Sequence, residues 1–407
     1  MRTVIVVGGG AAGFFAAINI KKKCPYIDVT ILEKTSKVLQ KVKVSGGGRC
    51  NVTNGRLEPG ELVPFYPRGG KKLYPMFKTF GTGQMRSWLA ENGVRTSEEQ
   101  DKRVFPESND SQTIIDCFLE ECSRLKINIE YQCEVTSLTK VETWMLMTNK
   151  GARNCDYLVF TVGASGKCWK MLSDFGFRMK EQVPSLFTFH IKDDRITDLQ
   201  GLAFPDVGVK IAGTKLQESG PLLITHWGVS GPAVLKLSAW GAVELAQNHY
   251  QFDLIVNFLG ITYEECKSRL EEMKTVSPKK LVKNESFNGI PRRYWERLLT
   301  YCQIGDRIFE DLGKAQMNKL CEELTQAHFK VNGKSAFKEE FVTAGGVDLT
   351  EINLETMESK NFSNLFLAGE VIDIDALTGG FNFQACWSGG WLISERISEI
   401  EKANKGG

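Results

Sequence analysis

The sequence has 407 residues, enough for two or three domains that bury their own cores without disulfides or structural metals. Apolar residues make up 42% and charged residues 25%, which argues against wholesale disorder. The 51 basic and 49 acidic side chains leave no overall basic excess, so binding to nucleic acid is not expected from composition.

No apolar run is long enough to span a membrane, and the N-terminal apolar stretch is too short for a signal peptide. The 11 cysteines are scattered without a Cys-x-x-Cys pair, which argues against a zinc site or a disulfide framework. Such scattered thiols are typical of a reduced compartment. We therefore expect a cytoplasmic protein without a metal site or a membrane contact.

The chain begins with a predicted βαβ unit: a β-branched apolar strand, a glycine-rich turn, a helix over 11–23 and a second strand ending at Glu33. After an irregular stretch, the next predicted elements are helices over 71–80, 84–92 and 111–125, a β-meander over 127–149 and a buried strand over 157–162. Later segments predict a mostly β stretch over 186–260, a helical region from the capping box at 262–265 to about 328, strands over 340–348 and 364–367, and a helix over 381–402.

The glycine-rich turn matches a dinucleotide fingerprint. Gly8 permits the tight turn, Gly10 lets the backbone approach a pyrophosphate, and Gly13 permits close packing of helix on strand. Glu33 follows at the distance where a carboxylate binds the ribose of the adenosine. The strand, the helix and the acidic residue together predict a dinucleotide site.

The fingerprint alone does not decide between NAD and FAD, but the C-terminal part of the sequence favours FAD. After the segment 368–370, residues 379–382 open a helix whose N-terminus would stabilise a reduced flavin ring. The alternative is an ordinary corner between a strand and a helix, with glycines for its turns. No second fingerprint follows another strand, so we expect any NAD(P)H to bind transiently.

Five segments carry a resemblance to a known family. GGGAAGFFAAI at the N-terminus, SGGGRCNVTN at 45–54, THWGVSGPAVL at 225–235, TAGGV at 343–347 and LAGEVIDIDALTGGFNFQACWSGG at 367–390 resemble the BaiN/YhiN-like flavoproteins, also called the aminoacetone-oxidase family. The resemblance implies an α/β fold with a discontinuous, glutathione-reductase-like Rossmann domain that binds FAD, over 1–187 and 335–407. It further implies an inserted β-rich, barrel-like domain over 188–261 and 329–334, and a small helical subdomain over 262–328.

The resemblance also implies non-covalent FAD and a set of cofactor-binding residues. The pyrophosphate and ribose would contact Gly8, Gly10, Ala11, Ala12, Gly13, Glu33 and Lys34. The middle of the cofactor and the adenine would contact Gly47, Gly48, Arg49, Cys50, Asn51, Val135, Gly163 and Ala164. The ribityl chain and the ring would contact Gly369, Glu370, Asp373, Gly380, Phe381 and Asn382.

Two positions depart from the family pattern. The stretch 163–169 is shorter and bulkier than in many members, and Gln40 stands where a glycine is common. We expect the shorter stretch to reshape the flavin edge or the substrate entrance.

Candidate catalytic side chains are few, because a flavin needs little more than positioning and electrostatics. Arg49 would stabilise negative charge on flavin or phosphate, with simple pairing to the pyrophosphate as the alternative. His226 would shuttle protons, with a structural histidine as the alternative. Cys50 has no partner thiol nearby in the sequence, which disfavours disulfide chemistry.

The leading functional hypothesis is an FAD-dependent oxidoreductase that acts on a small organic substrate, with NAD(P)H as the transient electron donor. One alternative is an oxygen-using amine oxidase acting on a compound like aminoacetone. A second is a non-catalytic or RNA-associated flavoprotein that binds its partner through basic residues of the helical region, namely Lys279, Lys280, Lys283, Arg292, Arg293 and Arg297. A third is a plain NAD-dependent dehydrogenase, which leaves the C-terminal glycines unexplained. The substrate and the oligomeric state stay open.

Overall fold

The structure is a computed structural model that describes residues 2–334 and 342–406. The described chain divides into two compact units, one formed by residues up to Val183 and from Val342 onward, the other by the stretch between them. The predicted return of the FAD domain at 335, and the start of the strand predicted at 340, lie outside the described residues. The division into three domains stays a prediction.

Most helices and strands of the first unit come before the second unit in the sequence. Its elements up to the boundary are β1 (Thr3–Val7), α1 (Ala11–Lys23), β2 (Asp28–Leu32), α2 (Gln40–Val44), β3 (Thr53–Asn54), α3 (Pro59–Leu62), α4 (Tyr74–Thr79), α5 (Thr82–Glu91), β4 (Thr96–Glu98), β5 (Arg103–Pro106), α6 (Ser111–Arg124), β6 (Asn128–Glu130), β7 (Val135–Lys140), β8 (Trp144–Thr148), β9 (Gly151–Cys155), β10 (Tyr157–Phe160), α7 (Gly166–Asp174) and β11 (Met179–Ser185).

The second unit follows, and the chain then returns to the first. The second unit contains β12 (Phe189–Ile191), β13 (Ala203–Ile211), β14 (Gln217–Thr225), β15 (Gly228–Ser230), α8 (Pro232–Trp240), α9 (Ala242–Gln247), β16 (Gln251–Asn257), α10 (Tyr263–Val276), α11 (Arg292–Tyr301), α12 (Lys314–Thr325) and β17 (Ala327–Lys334). The first unit resumes with β18 (Val342–Val347), β19 (Ile352–Asn353), β20 (Glu358–Ser359), β21 (Leu365–Leu367) and α13 (Phe381–Gly406).

A mostly parallel sheet forms the centre of the first unit. Within the described residues its strand order is β19-β20-β21-β10-β1-β2-β6, and the strands from β21 to β6 run parallel. The predicted βαβ unit is confirmed, because β1 pairs in parallel with β2 and α1 connects them. Carboxyl ends of parallel strands share one edge of a sheet, which is where ligands bind in such folds.

The helices α1 and α13 pack closely at a glycine. A Cβ on Gly390 would lie 3.0 Å from the backbone nitrogen of Ala16 and 3.1 Å from the oxygen of Ala12. Beside this crossing, the ring of Phe15 lies 4.9 Å from that of Trp88 and 5.5 Å from that of Trp387. This aromatic packing fixes the two helices whose N-terminal ends border the predicted cofactor site.

The second unit is built around a closed β-barrel, as the barrel-like insertion predicted. In the part of the chain that the structure describes, its strand order is β12-β15-β14-β13-β16-β17, and β17 pairs back with β12. The helices that follow the barrel strands share their apolar core. The ring of Tyr294 in α11 lies 5.0 Å from that of Phe204 and 4.8 Å from that of Phe258.

Several sequence expectations are confirmed and three are corrected. The capping box is confirmed: the backbone nitrogen of Glu265 donates to Thr262 Oγ1 at 3.2 Å, and the nitrogen of Thr262 donates to Glu265 Oε2 at 2.8 Å.

The prediction of a mostly β stretch over 186–260 is wrong for α8 and α9, since short apolar runs fit a buried helix as well as a strand. β6 joins the parallel sheet rather than the meander, which consists of β7, β8 and β9. The helical region ends with α12, so His328 lies in β17.

Within the described residues, we find no helix with the length and apolar character needed to cross a membrane.

Candidate cofactor site

The turn between β1 and α1 uses its glycines in different ways. Gly8 has φ +108°, and a Cβ there would lie 2.5 Å from the oxygen of Thr161. A Cβ on Gly13 would lie 2.1 Å from the oxygen of Gly8. A Cβ on Gly10, by contrast, would meet no atom of the described chain within 4 Å. At Gly8 and Gly13 close backbone contacts therefore require glycine, whereas Gly10 borders open space.

The open space lies at the N-terminus of α1. Gly10 is the N-cap residue, and no side chain of the described residues caps it. Ala11 and Ala12 form the buried first turn of the helix. Uncapped backbone N–H groups at a helix N-terminus attract anions, and a Cβ at Gly10 would fill the space that an anion needs. These residues fit the pyrophosphate of a dinucleotide.

Glu33 follows β2, with its carboxylate held by backbone amides. Its Oε2 accepts a hydrogen bond from the nitrogen of Gly9 at 2.9 Å, and its Oε1 accepts one from the nitrogen of Thr35 at 2.8 Å. Lys34 is exposed beside it, and Val135 is buried at the start of β7. The carboxylate therefore lies next to the glycine turn, where dinucleotide-binding proteins use it to bind ribose hydroxyls.

A second glycine turn covers Ser45–Gly48. Gly46, Gly47 and Gly48 have φ values of 58°, 68° and 86°, and Cβ atoms on Gly47 and Gly48 would meet nothing within 4 Å in the described chain. Cys50 ends the turn as a fully buried thiol, and burial raises its pKa to about 12. Cys50 therefore stays protonated at neutral pH, which disfavours a redox role.

The segment after this turn is bound to the residues just before α13. Asn54 Nδ2 donates to the oxygen of Gly379 at 2.9 Å. With the Asn51 amide turned so that both of its polar atoms have partners, its oxygen accepts from the nitrogen of Gly380 at 3.0 Å and its nitrogen donates to the oxygen of Thr53 at 2.9 Å. Gly380 has φ +85°, and a Cβ there would lie 2.3 Å from the oxygen of Thr53. The segments 45–54 and 367–390, which both carry the family resemblance, thus form one structure.

The loop before α13 is also closed on itself. The nitrogen of Ala376 donates to Asn382 Oδ1 at 2.9 Å, and Asn382 Nδ2 donates back to the oxygen of Ala376 at 2.9 Å. The ring of Phe381 stacks on Phe65 at 4.3 Å, and the hydroxyl of Tyr66 donates to the oxygen of Phe381 at 2.6 Å. These contacts preorganise the N-terminal end of α13.

Glu370 lies where several parts of the predicted site meet. Its carboxylate forms an ion pair with Lys41 and accepts from the nitrogen of Thr343 at 3.2 Å. A Cβ on Gly163 would lie 3.5 Å from its Oε2. The indole nitrogen of Trp169 donates to the oxygen of Gly163 at 2.8 Å. The bulky residue of the shortened stretch therefore fixes the turn that faces Glu370.

Gly369 brings the C-terminal part of the predicted site against the N-terminus of α1. It has φ +78°, and a Cβ there would lie 3.2 Å from the Cβ of Ala12 and 3.5 Å from the Sγ of Cys386. Burial raises the pKa of Cys386 to about 12. Ala164 is half-buried after the turn at Gly163. The predicted ribityl contact at Gly369 is therefore next to the predicted pyrophosphate contact at Ala12.

Two carboxylates follow Glu370 in a less polar environment. Asp375 is fully buried and pairs with the guanidinium of Arg68. Burial raises the pKa of the half-buried Asp373, and the negative charge of Asp375 adds to this effect, while Arg68 opposes it. Asp373 thus holds its proton more tightly than an exposed carboxyl group does.

The guanidinium of Arg49 is bound to other side chains of the protein. Its Nη2 donates to Glu99 Oε1 at 2.6 Å and to Asn109 Oδ1 at 2.7 Å, and its guanidinium lies 3.9 Å from the ring centre of Phe105. These partners already neutralise and orient the side chain. His226 lies in the second unit, exposed in the turn between β14 and β15. Catalytic roles for both residues stay predictions.

Comparison with known sequences decides the family. The sequence pattern described as "HI0933-like protein Rossmann domain" matches residues 2–396. The chain belongs to the HI0933-like family. It has the Rossmann-type FAD-binding fold. The predicted fold class and the recognised resemblance are confirmed.

Curated relatives of the HI0933-like protein cover nearly its whole length. It is 29% identical to the ribosomal RNA dihydrouridine synthase of Escherichia coli (strain K12), over 97% of both chains. The enzyme of that name from Haemophilus influenzae is 27% identical over 97% of this chain and 98% of its own. The 3-dehydro-bile acid delta(4,6)-reductase of Clostridium scindens is 24% identical over 98% of this chain and 100% of its own.

One solved structure shows the same fold. The 3-ketosteroid delta1-dehydrogenase of Sterolibacterium denitrificans matches the HI0933-like protein with a TM-score of 0.53 and 11% identity, over 98% of this chain and 100% of its own. At that identity the match concerns the fold.

Sequence reasoning missed residues that hold the site of the HI0933-like protein together. They are Lys41, Asn54, Phe65, Tyr66, Arg68 and Asp375. Asn54 and Asp375 lie in the segments 45–54 and 367–390 that carry the family resemblance, which is the signal that could have found them. The pairing of Arg68 with Asp375 crosses 307 residues, so no local pattern indicates it.

Proposed function

We propose that the protein is an FAD-dependent reductase that saturates a carbon–carbon double bond conjugated to a carbonyl group, with uridine in ribosomal RNA as its substrate. The observation that carries the proposal is the junction of two distant segments at one sheet edge. Gly369 lies against the N-terminus of α1, and the segment after Cys50 binds Gly379 and Gly380. A cofactor with a central pyrophosphate and a ring at one end needs these two contacts.

The names of the relatives support one type of chemistry. Dihydrouridine is uridine whose ring double bond, conjugated to a carbonyl, has been reduced. A delta(4,6)-reductase of a 3-dehydro bile acid likewise reduces double bonds conjugated to a ketone. The two dihydrouridine synthases are 29% and 27% identical to this chain and the bile acid reductase 24%, which favours uridine.

The cofactor is proposed to bind without a covalent bond. Its pyrophosphate would lie at Gly10 beside the first turn of α1, and its adenosine ribose would bind Glu33. The neighbouring contacts would come from Gly8, Ala11, Ala12, Gly13, Lys34, Gly47, Gly48, Asn51, Val135, Gly163 and Ala164. The ribityl chain and the ring would contact Gly369, Glu370, Asp373, Gly380, Phe381 and Asn382.

Bound FAD supplies hydride transfer, and the chain supplies position and charge. The positive N-terminal end of α13 would stabilise negative charge on the reduced ring. The stacked rings of Phe65 and Phe381 would exclude water from that end of the site. Since the sequence has no second dinucleotide fingerprint, NAD(P)H would bind transiently as the electron donor.

The test uses purified protein, NADPH and an unmodified ribosomal RNA transcript. Mass spectrometry of the nucleosides should detect dihydrouridine only when protein and NADPH are both present. Consumption of NADPH with a conjugated keto-steroid but not with RNA would keep the reaction type and overturn the substrate. Peroxide formed from aminoacetone without NADPH would favour the amine oxidase, and a protein that takes up no FAD would overturn the whole proposal.

A further inference from the structure

An exposed basic surface lies on the segment formed by Gly70–Leu73 and α4. Lys71, Lys72, Tyr74 and Lys78 are exposed, and 45% of the surface of Tyr74 is accessible. The turn Gly70–Leu73 continues directly into α4, so the spacing of three and four residues puts Lys71, Tyr74 and Lys78 on one side. We call these four residues the basic ridge.

Within the described residues, the lysines of the basic ridge have no acidic partner. No carboxylate there pairs with Lys71, Lys72 or Lys78, whereas Arg68, three residues before Lys71, is paired with Asp375. Unpaired lysines around an exposed aromatic ring are the features with which proteins bind single-stranded nucleic acid.

Five of the six basic residues named above for the helical region are bound to other protein groups. Lys280, Lys283 and Arg292 form ion pairs with Glu285, Asp306 and Glu296. Arg293 and Arg297 donate to backbone oxygens at 2.8 Å and 2.9 Å. These side chains are held by protein groups, so they offer less charge to a phosphate.

The inner side of the ridge segment is fixed to the cofactor site. Beneath the ridge, the ring of Phe77 packs 5.1 Å from that of Tyr66, whose hydroxyl donates to Phe381. Arg68 precedes Lys71 by three residues, at most about 10 Å of chain, and pairs with Asp375. A strand on the ridge would therefore pass close to the loop before α13.

We infer that the basic ridge binds the single-stranded RNA segment that carries the reactive uridine. Lys71, Lys72 and Lys78 contact the phosphates, and Tyr74 stacks on a neighbouring unpaired base. This inference rests on the proposed function, and it places the RNA contact on the first unit rather than on the helical region.

The test measures binding of a fluorescein-labelled oligouridylate to the FAD-loaded protein by anisotropy at several salt concentrations. Combining Lys71→Gln, Lys72→Gln and Lys78→Gln should weaken binding at least about tenfold and lower the salt slope by about two, since each phosphate contact on a single strand contributes about 0.7. Tyr74→Ala should weaken binding about tenfold with little change in slope. The matched control combines Lys280→Gln, Lys283→Gln and Arg292→Gln, which removes three ion-paired charges, and should bind within about twofold of the unaltered protein.

Flavin bleaching by NADPH without RNA should be the same in all these variants, because the ridge does not take part in that step. If the ridge variants bind RNA with unaltered affinity and slope while dihydrouridine still forms, the RNA-binding role of the ridge is rejected and the proposed function is kept. If the unaltered protein binds no oligouridylate, the RNA-binding role of the ridge is also rejected. If RNA binding depends on the ridge but no dihydrouridine forms, the proposed reaction is rejected and the RNA-binding role of the ridge is kept.

Discussion

The side chain of Asn54 donates a hydrogen bond to the backbone oxygen of Gly379 at 2.9 Å, across 325 residues of sequence. This bond joins β3, which follows the second glycine turn at Ser45–Gly48, to the loop that precedes α13. Because both segments lie in the first unit, the inserted second unit does not separate them in space. The candidate cofactor site is therefore assembled from the two ends of the sequence.

Gly10→Ala should mainly weaken FAD binding, whereas Gly13→Ala should mainly destabilise the fold. A Cβ at position 10 meets no protein atom within 4 Å, so Gly10→Ala should lower the free energy of unfolding of the apoprotein by less than about 1 kcal/mol. It should weaken FAD binding at least about tenfold, since the methyl group would occupy the pyrophosphate space.

A Cβ at position 13 would lie 2.1 Å from a backbone oxygen, so Gly13→Ala should destabilise the apoprotein by about 1–3 kcal/mol. Thermal unfolding of the apoprotein and quenching of FAD fluorescence measure both quantities. Undiminished FAD affinity of Gly10→Ala would contradict the assignment of the pyrophosphate position.

Gly380→Ala should disturb the ring end of the site. Alanine at φ +85° costs about 1–2 kcal/mol, and its Cβ would also push the segment at Thr53 away. We expect FAD affinity to fall at least about tenfold. Gly93→Ala is the matched control, because Gly93 has φ +81° and a Cβ there would meet nothing within 4 Å. If both variants bind FAD equally well, the loop before α13 does not contact the cofactor.

Asp375→Asn should destabilise the fold, because it leaves the guanidinium of Arg68 buried without its ionic partner. Asp375 is fully buried and its partner Arg68 is 13% exposed, so loss of the carboxylate should lower the free energy of unfolding by about 3–5 kcal/mol. Adding Arg68→Met should recover part of that loss, because the uncompensated guanidinium is then gone. Chemical denaturation of both single variants and the double variant measures the coupling; strictly additive effects would show that the pair does not matter.

Glu121→Gln should change how stability depends on pH. Hydrogen bonds from Arg124 and Lys22 lower the pKa of Glu121 from 4.5 to about 2. A carboxylate whose pKa is lower in the folded than in the unfolded state stabilises the fold above the unfolded pKa, and this stabilisation is lost as pH falls. The stability difference between the unaltered protein and Glu121→Gln should therefore be largest at neutral pH.

Between pH 4.5 and about 2 that difference should shrink, as denaturation at a series of pH values would show. Glu120→Gln is the control, since exposed Glu120 has no ion pair among the described residues. A pH-independent difference for Glu121→Gln would contradict the ion-pair explanation.

Local signals account for the parts of the fold that the sequence predicted. The βαβ unit and the capping box at Thr262 depend on residues a few positions apart, and both are present in the structure. The helices α8 and α9 escaped prediction because short apolar runs have no decisive period. The position of Glu33 beside the glycine turn also follows from local spacing, because β1, α1 and β2 are consecutive in the sequence.

Long-range partners were beyond sequence reasoning. The sequence suggested that Arg49 was available to a phosphate or a flavin, yet Glu99 and Asn109 occupy its guanidinium. The pairing of Arg68 with Asp375 depends on how the two ends of the first unit meet, which no local pattern encodes. The exposed lysines of the basic ridge likewise stand out only once their neighbours are known.

The most direct test is the visible absorption of the purified protein under anaerobic conditions, first with NADPH and then with an unmodified ribosomal RNA transcript. A flavin-dependent uridine reductase should be yellow, bleach with NADPH and regain its colour when the transcript is added. A protein that carries and takes up no flavin, or whose bleached flavin stays reduced with the transcript, would contradict the proposed function.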